Sequence, residues 1–390
     1  MHLLLRSSWQ NVNIGDVAHT PGVLALLEKA IPGLEVTLWP NPLEPEVKAM
    51  IVKRFPRLHL AETPAEKKRA LRDCGFFLHG SGPYLVGWRE LNQWAEETGK
   101  PFGVFGITLA RPADPGRMPE HEAMYRHLPE ADFVYYRDSP SLDAARAMGL
   151  ASRHDGFGPD GAFSVDLANA PAAEAFTRTH GLEKGKFLCC IPKLRFTPYW
   201  ILHPEQAFDP AKHARNEAMK ENDHEPLRRA IRSVVAEGGM KILLCPEDRT
   251  QMRVGKELLY DRLEPEVRER VVWRPDHWLT DEALSTYRLS AGLFGHEQHS
   301  PIMAIGAGIP ACVGRWAEQT TKGFMWKDIG LGDWLFDLDA ESDRARYPDA
   351  VLEIARNPAA ATEKALAARA RVREAQAGMI ASLKASLGSH

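Results

Sequence analysis

The sequence has few cysteines, and their spacing excludes the usual roles of paired thiols. No two of them form a C-x-x-C pair, which argues against a thiolate zinc site or a dithiol redox centre. We expect reduced, buried side chains, as is typical of a protein in a reducing compartment. The five are Cys74, Cys189, Cys190, Cys245 and Cys312.

Long apolar runs are also absent. The N-terminus has three consecutive leucines before Arg6, which is too short for the apolar core of a signal peptide. No stretch reaches the length of a membrane-spanning helix. The sequence therefore predicts a protein that works in the cytoplasm.

Neither sign of charge dominates. The 49 Lys and Arg residues face 52 Asp and Glu residues, for a net charge of −3, which gives no support for a nucleic-acid-binding surface. Hydrophobic residues make up 44% and charged residues 26% of the chain, as in ordinary globular proteins. A chain of 390 residues is long enough for two domains.

Short apolar runs alternate with amphipathic stretches along the whole chain. This alternation predicts an α/β fold with parallel sheets covered by helices. Residues 165–185 lack a strand signal and precede a fresh strand at Phe187. We expect two Rossmann-like domains that face each other across a cleft, at residues 1–175 and 176–340, followed by a helical segment at 341–390.

A hydroxyl residue followed by proline recurs where helices are expected to begin. The hydroxyl accepts a backbone N–H at the N-cap, and proline suits the first helical position. Thr63 with Glu66 also completes a capping box. The four pairs are Thr20-Pro21, Thr63-Pro64, Ser139-Pro140 and Ser300-Pro301.

The stretch "GLFGHEQHSPIMAIGAGIP" (292–310) carries four polar residues between a predicted strand and the helix that Ser300 begins. A helix N-terminus that follows a strand offers free N–H groups and a positive dipole end to an anion. Small residues let this helix lie close to the sheet, and Gly306 or Gly308 is expected to end it. We interpret residues 296–299 as the edge of an anion site.

Five motifs in order resemble the polysaccharide pyruvyl transferase family. The N-x-G-D opening lies in "NVNIGDVAHTPG" (11–22), and "FFLHGSGPYLVG" (76–87) enters a glycine-rich turn. "YYRDSPSLDAARAMGL" (135–150) with "GPDGAF" (158–163) resembles R-D-x-x-S…G…D-x-A-F. "HEQHSPIMAIGAGIP" (296–310) resembles R-x-H…A…G-x-P, and "KGFMWKDIGL" (322–331) its closing segment. The resemblance covers roughly residues 10–335.

The resemblance implies a GT-B-like fold and transfer of a pyruvyl group from phosphoenolpyruvate to a sugar of a polysaccharide or glycan precursor. It implies no cofactor beyond phosphoenolpyruvate as co-substrate. The reaction begins with protonation of the methylene carbon of phosphoenolpyruvate, and histidine suits such an acid. His299 matches the family histidine, although a structural cap is the alternative. Asp16 either orients or deprotonates an acceptor hydroxyl, or caps its own helix.

One position departs from the family. Glu297 stands where the family has an arginine two residues before the histidine, and a carboxylate repels phosphate. Another cation must then hold the donor. With Ser300, the candidates for donor binding are Lys193, Arg195, Arg315 and Lys322, the last of which matches the family lysine. His296, Glu297 and His299 match no strong metal-ligand spacing, and we expect no metal.

Two groups of residues are expected to bind the acceptor. Strand-to-helix turns without bulky side chains let a sugar approach the backbone, and Tyr199 and Trp200 offer flat surfaces for stacking unless they pack internally. These two aromatics lie in residues 193–224, a long insertion typical of a lid or binding segment. The residues are Asn13, Gly15, Gly80, Ser81, Gly82, Tyr199 and Trp200.

Two other functions stay open from the sequence. A GT-B-type glycosyltransferase that uses a nucleotide-sugar donor would share the fold, and a non-catalytic relative would bind glycan alone. The expected partners are a saccharide or glycan acceptor and phosphoenolpyruvate, without nucleic acid or a transmembrane segment. A lipid-linked acceptor would place the protein at the inner membrane face, and a homo-oligomer stays open.

Overall fold

The computed structural model describes residues 2–7, 10–109 and 118–388. Within these residues the chain forms two compact units. The first holds residues up to Asn11, Asp16–Asp166 and the chain from Ala370 onward, and the second holds Val12–Gly15 and Leu167–Arg369. Each unit is a parallel sheet flanked by helices, which confirms the predicted α/β class.

The first unit contains a seven-stranded sheet in which every neighbouring pair is parallel, in the order β3-β2-β1-β4-β5-β6-β7. All four residues of β4 (FFLH) are buried, as expected for a strand covered on both faces. The strands are β1 (His2–Arg6), β2 (Glu35–Trp39), β3 (His59–Leu60), β4 (Phe76–His79), β5 (Phe102–Ile107), β6 (Phe133–Tyr136) and β7 (Asp155–Phe157). The helices described in this half of the chain are α1 (Ile14–Ala30), α2 (Pro45–Arg54), α3 (Pro64–Asp73), α4 (Trp88–Thr98), α5 (Met118–Tyr125) and α6 (Ser139–Ala147).

The second unit contains a six-stranded parallel sheet in the order β10-β9-β8-β11-β12-β13. Its strands are β8 (Phe187–Ile191), β9 (Lys241–Leu244), β10 (Val271–Trp273), β11 (Gly292–Gly295), β12 (Ala311–Arg315) and β13 (Leu335–Asp337). The helices are α7 (Ala170–Thr179), α8 (Tyr199–Leu202), α9 (Pro210–Ser233), α10 (Gln251–Leu258), α11 (Pro265–Arg268), α12 (Thr280–Tyr287), α13 (His299–Ala307), α14 (Met325–Asp328), α15 (Glu341–Arg356) and α16 (Pro358–Gly388).

The last helix contributes to both units along its length. From Ala370 onward, α16 is grouped with the first unit, where the Tyr135 hydroxyl lies 2.8 Å from the Ser382 hydroxyl. Its earlier turns belong to the second unit, where the Arg369 guanidinium donates to the carbonyl of Ala307. The five cysteines are buried and free of disulfides, as expected.

Of the four helix starts predicted from hydroxyl–proline pairs, one is correct, two are displaced and one is wrong. Thr63 is an N-cap with a complete capping box, as predicted. Helix α6 begins at Ser139 with Asp138 as its cap, one residue earlier than predicted, and α13 begins at His299, two residues earlier than predicted. The prediction at Thr20-Pro21 is wrong, because α1 already begins at Ile14 and holds Pro21 inside it. Gly308 ends α13 in the left-handed conformation (φ 83°), as predicted.

The long insertion at residues 193–224 is shorter than predicted. Helix α9 begins at Pro210, with Asp209 as its cap, and runs to Ser233. Only residues 192–209 remain as a loop around the single turn of α8.

Candidate active site

Three loops of the second unit leave its sheet at the carboxyl ends of adjacent strands. The loops follow β8, β9 and β11, and carry Lys193, Glu247 and Glu297. Because β8 lies between β9 and β11, residues far apart in the sequence meet at one edge of the sheet. Ligands of parallel α/β sheets usually bind at this edge.

Glu297 is paired with Lys193. Both carboxylate oxygens lie 3.0 Å from the Lys193 ammonium, and the Gln251 amide donates to Oε1 at 2.5 Å. The Glu297 side chain is 3% exposed and that of Lys193 17% exposed, so the ammonium is the outer member of the pair. The cation nearest the family arginine position is therefore Lys193, and its charge is already matched by Glu297.

Two further buried carboxylates, those of Glu247 and Asp248, lie in the same cluster. Burial raises the pKa of Glu297 to about 7, with the Glu247 charge adding to the rise against the opposing effect of Lys193. Burial also raises the pKa of Asp248 to about 6 and raises that of Glu247. Glu297 and Asp248 therefore titrate closer to neutral pH than ordinary carboxyl groups do.

Glu247 was missed by the sequence analysis. Its Oε2 accepts the backbone N–H of Ser300 at 2.7 Å, in the first turn of α13. Its Oε1 lies 3.7 Å from Nδ1 of His299, the first residue of that helix. The one available signal was its place directly after "KILLCP", the same position relative to a strand as residues 296–299.

The N–H group of Ser300 thus already binds an anion, which belongs to the protein itself. The Ser300 side chain is buried, and its hydroxyl lies 3.1 Å from that of Tyr287. The role of Ser300 in donor binding stays a prediction, and it requires the Glu247 carboxylate to share or leave this position.

Asn13 and Gly15 belong to the same cluster. The side chain of Asn13 accepts the N–H of Gly15 at 2.8 Å, and Ile14 donates its N–H to the carbonyl of Glu247 at 3.0 Å. A Cβ atom on Gly15 would collide with the Cβ of His299 and lie 2.8 Å from Oε1 of Glu247. Glycine is required here because His299 and Glu247 leave no room for a side chain.

We expect Gly15→Ala to displace His299 or Glu247 and to lower turnover about 100-fold, since a shift near 1 Å has that effect in organised sites. Steady-state kinetics on the reaction proposed below measure this loss. Gly255→Ala is the matched control, because a Cβ there meets only ordinary contacts, the nearest at 3.4 Å. Equal kinetics in both variants would contradict the crowding argument.

Two other predicted cations of the second unit, Arg195 and Arg315, lie in separate ion pairs. Arg195 contacts three carboxylates, at 2.8 Å from Asp223, 3.0 Å from Glu318 and 2.7 Å from Asp339. Burial opposes its charge, but these carboxylates hold the pKa of Arg195 above its ordinary value.

Arg315 lies at the end of β12, beside the turn that carries Lys322. Its guanidinium donates to the carbonyls of Lys322 and Thr320 and lies 3.4 Å from Asp337. It therefore fixes this turn. The donor-binding roles of Arg195, Arg315 and Lys322 stay predictions.

The first unit holds Asp16 and the predicted loop after β4. Asp16 lies in the first turn of α1 and accepts a hydrogen bond from the Gln10 amide. Gly80, Ser81 and Gly82 follow β4 in a buried loop, where Gly80 donates to the carbonyl of Arg6 at 2.9 Å. Their proposed contact with an acceptor is untested by the structure.

Ser81 is part of a buried hydrogen-bonded network. Its hydroxyl lies 2.6 Å from Nδ1 of His19 and accepts the N–H of Gly161 at 2.8 Å. Asp160 lies 2.8 Å from the same His19 nitrogen and 2.8 Å from Arg137. The motif "GPDGAF" therefore ties the loop after β7 to the loop after β4.

We expect Ser81→Ala to lower the free energy of unfolding by about 1–3 kcal/mol, because the buried N–H of Gly161 loses its acceptor. Urea denaturation measures this value. Ser164→Ala is the control, since Ser164 makes its 3.0 Å bond to Gln376 in a partly buried position. No difference between the two variants would count against the network.

Tyr199 and Trp200 lie on the single turn of α8. Tyr199 is 38% exposed, and Trp200 packs edge-on against Phe208 at 5.3 Å between ring centroids. The nearby residues Ile201 and Phe208 are more than half exposed. Internal packing therefore involves Trp200, while the stacking role of both aromatics stays a prediction.

The two parallel sheets flanked by helices give the chain a two-domain α/β fold of the GT-B type. The sequence model of the polysaccharide pyruvyl transferase family matches residues 13–313. The chain belongs to this family.

Solved structures with the same fold cover nearly the whole chain. A putative UDP-N-acetylglucosamine 2-epimerase from Listeria monocytogenes is 12% identical with a TM-score of 0.61, covering 100% of this chain and 98% of its own. The UDP-GlcNAc 2-epimerase of Neisseria meningitidis, bound to UDP-GlcNAc, is 9% identical with a TM-score of 0.60, covering 98% and 99%. A ugt transferase from Siraitia grosvenorii in complex with UDP is 14% identical with a TM-score of 0.50, covering 96% and 95%.

At these identities the similarity shows the fold alone. No curated protein matches the sequence. Among the described residues, no helix is both long and apolar enough to span a membrane.

Proposed function

We propose that this protein transfers the pyruvyl group of phosphoenolpyruvate to a hydroxyl-bearing sugar of a glycan or glycan precursor. Membership of the family supports the reaction class. The observation that carries the proposal is the position of the His299 imidazole on the first turn of α13, 3.7 Å from the Glu247 carboxylate. An imidazole beside a carboxylate is suited to act as a general acid near neutral pH.

Pyruvyl transfer requires that one proton be added to the methylene carbon of phosphoenolpyruvate. His299 donates a proton to the methylene carbon of phosphoenolpyruvate, and the adjacent carbon then accepts the oxygen of a sugar hydroxyl. Phosphate leaves as a second hydroxyl of the same sugar attacks that carbon, which closes a cyclic ketal. Of the two hydroxyl protons released, one restores His299 and the other leaves with phosphate. Asp16 is the proposed base or orienting group for the acceptor.

The donor carries several negative charges, and the carboxyl cluster opposes them unless it holds protons. Because burial raises the pKa of Asp248 to about 6 and that of Glu297 to about 7, these two carboxyl groups gain protons as the pH falls toward 6. The partly exposed ammonium of Lys193 supplies the nearest positive charge. We therefore propose Lys193 as the main donor-binding cation, and tighter donor binding at pH 6 than at pH 8.

A nucleotide-sugar enzyme is the second candidate. The observation that favours it is the pairing of Lys193 with Glu297, which cancels much of the charge available to a compact trianion. The structurally similar proteins with bound UDP or UDP-GlcNAc show that this fold accommodates such ligands in other proteins.

Phosphate release distinguishes the candidates. The protein is incubated with phosphoenolpyruvate and a panel of saccharides, and in parallel its melting temperature is followed with phosphoenolpyruvate, UDP and UDP-GlcNAc. We expect saccharide-dependent phosphate release. Stabilisation by UDP or UDP-GlcNAc without phosphate release would favour the second candidate, and no response to any of these ligands would favour glycan binding without catalysis.

A further inference from the structure

Glu247 has the geometry of a residue that acts through His299. Its two carboxylate oxygens serve two neighbours, since Oε2 accepts the Ser300 N–H at 2.7 Å and Oε1 lies 3.7 Å from Nδ1 of His299. The two contacts fall on consecutive residues of the first turn of α13. One side chain therefore fixes both the position of the helix terminus and the surroundings of the imidazole.

The backbone of Glu247 is held firmly. Its N–H donates to the Gln251 side chain at 2.7 Å, and its carbonyl accepts the N–H of Ile14 at 3.0 Å. Asp248 anchors the same loop by accepting the N–H of Thr250 at 2.7 Å. The absence of a side chain on Gly15 leaves room for both Glu247 and His299. A carboxylate on such a framework has a fixed direction, as positioning groups require.

We propose that Glu247 is the positioning residue of His299, holding its imidazole in the orientation and protonated state that the pyruvyl transfer requires. This inference rests on the proposed function of His299. Glu247 itself contacts no reacting atom in this scheme. A separation of 3.7 Å is compatible with the role, because catalytic hydrogen bonds often shorten only when the substrate binds.

Other charged groups surround Glu247 and must be separated from its effect. Lys193 interacts with it from the loop after β8, Glu297 from the loop after β11, and Tyr287 from α12. Asp248 neighbours it in the chain and interacts with Glu297. Of these groups, only Glu247 is positioned to bind the N–H of Ser300 and the imidazole of His299 together.

The test is a titration of His299 by NMR, with its imidazole resonances assigned by comparison with His299→Gln. In Glu247→Gln the amide oxygen still accepts the Ser300 N–H, but the negative charge is lost. We expect the pH at which His299 titrates to fall by about one unit, the size typical of removing a partner charge at this distance. Asp248→Asn is the matched control, and its shift should be below about 0.3 unit.

The kinetic counterpart is the pH profile of kcat/KM for phosphate release. In Glu247→Gln the alkaline limb of this profile should shift to lower pH by about one unit. At pH 7.5, kcat should fall about 10- to 100-fold with little change in KM. Glu247→Asp, which keeps the charge, should recover part of both effects. If Glu247→Gln fails to fold, the NMR titration of His299 in Glu247→Asp decides the question. A midpoint lower than that of the wild type supports the positioning role, and an unchanged midpoint overturns it.

The outcomes separate this inference from the proposed reaction. An unchanged titration of His299 in Glu247→Gln, or an equal shift in Asp248→Asn, would overturn the positioning role even if phosphoenolpyruvate is turned over. A shift confined to the Glu247 variants supports it, and if phosphate release is then absent, the proposed reaction fails while the pairing stands.

Discussion

His299→Ala should lower saccharide-dependent phosphate release from phosphoenolpyruvate by about 10²- to 10⁴-fold, which is the usual contribution of a positioned general acid. His299 begins α13 at the edge of the second sheet and lies beside Glu247. In the proposed mechanism this imidazole supplies the proton, so its removal leaves the protonation step without its acid. The loss should appear mainly in kcat, because the proton is transferred in the transition state.

The control for this variant is a histidine of the same unit outside the site. His180 follows α7, is exposed, and packs its ring against Phe176 at 4.4 Å between centroids. His180→Ala should retain full turnover. Both variants should unfold at nearly the wild-type temperature, and full activity of His299→Ala would remove the proposed acid.

Lys193→Met should destabilise the protein by about 3–5 kcal/mol at pH 8, because it leaves the buried Glu297 charge without its partner. The sign of the pH dependence follows from the pKa of Glu297, which burial raises from its ordinary 4.5 to about 7. The folded protein binds this proton more tightly than the unfolded chain does. The contribution of Glu297 to stability is therefore complete below pH 4.5 and declines as the pH rises through 7.

The defect of Lys193→Met should accordingly be small at pH 5, where Glu297 holds its proton, and should grow toward pH 8. Denaturant unfolding at several pH values measures it. The double variant Lys193→Met/Glu297→Gln has no buried carboxylate without a partner at this position. Most of the pH-dependent loss in the free energy of unfolding should therefore disappear. A defect of equal size at pH 5 and pH 8, or one that the second substitution does not relieve, would show that the pair is not the cause.

Much of the fold could be predicted from the sequence because buried parallel strands produce short apolar runs. "HLLL" and "FLCCI" correspond to β1 and β8, and the alternation with helices indicated two parallel sheets. Helix boundaries were less accurate where proline misled. Pro21 was predicted to begin a helix, yet it lies inside α1, which begins at Ile14.

The candidate site was only partly predictable, because it depends on strand order. Both Lys193 and Glu297 were identified from the sequence. Lys193 was a candidate cation for donor binding, and Glu297 was the carboxylate that such a cation must compensate for. Their pairing follows from the adjacency of β8 and β11, which chain order does not reveal. Glu247 was missed for the same reason: it follows β9, and only the sheet order brings that loop beside α13.

The Lys193–Glu297 pair also alters what the protein offers to a donor at the position where the family has an arginine. Glu297 is the inner member of a pair whose outer member, Lys193, keeps one face toward solvent. A lysine held by a buried carboxylate presents a single ammonium, whereas arginine offers a planar fork of donors. We therefore expect this member of the family to bind its donor with less geometric selectivity for a planar carboxylate.

The central claim is that the second unit protonates phosphoenolpyruvate through His299. The most direct measurement is the reaction in D₂O with an accepting saccharide, with the product analysed by mass spectrometry and NMR. The account predicts a pyruvylated sugar whose methyl group carries one deuterium, formed at a rate that falls in His299→Ala and Glu247→Gln. A pyruvyl methyl group without deuterium, or a sugar product formed only from UDP-GlcNAc, would contradict it.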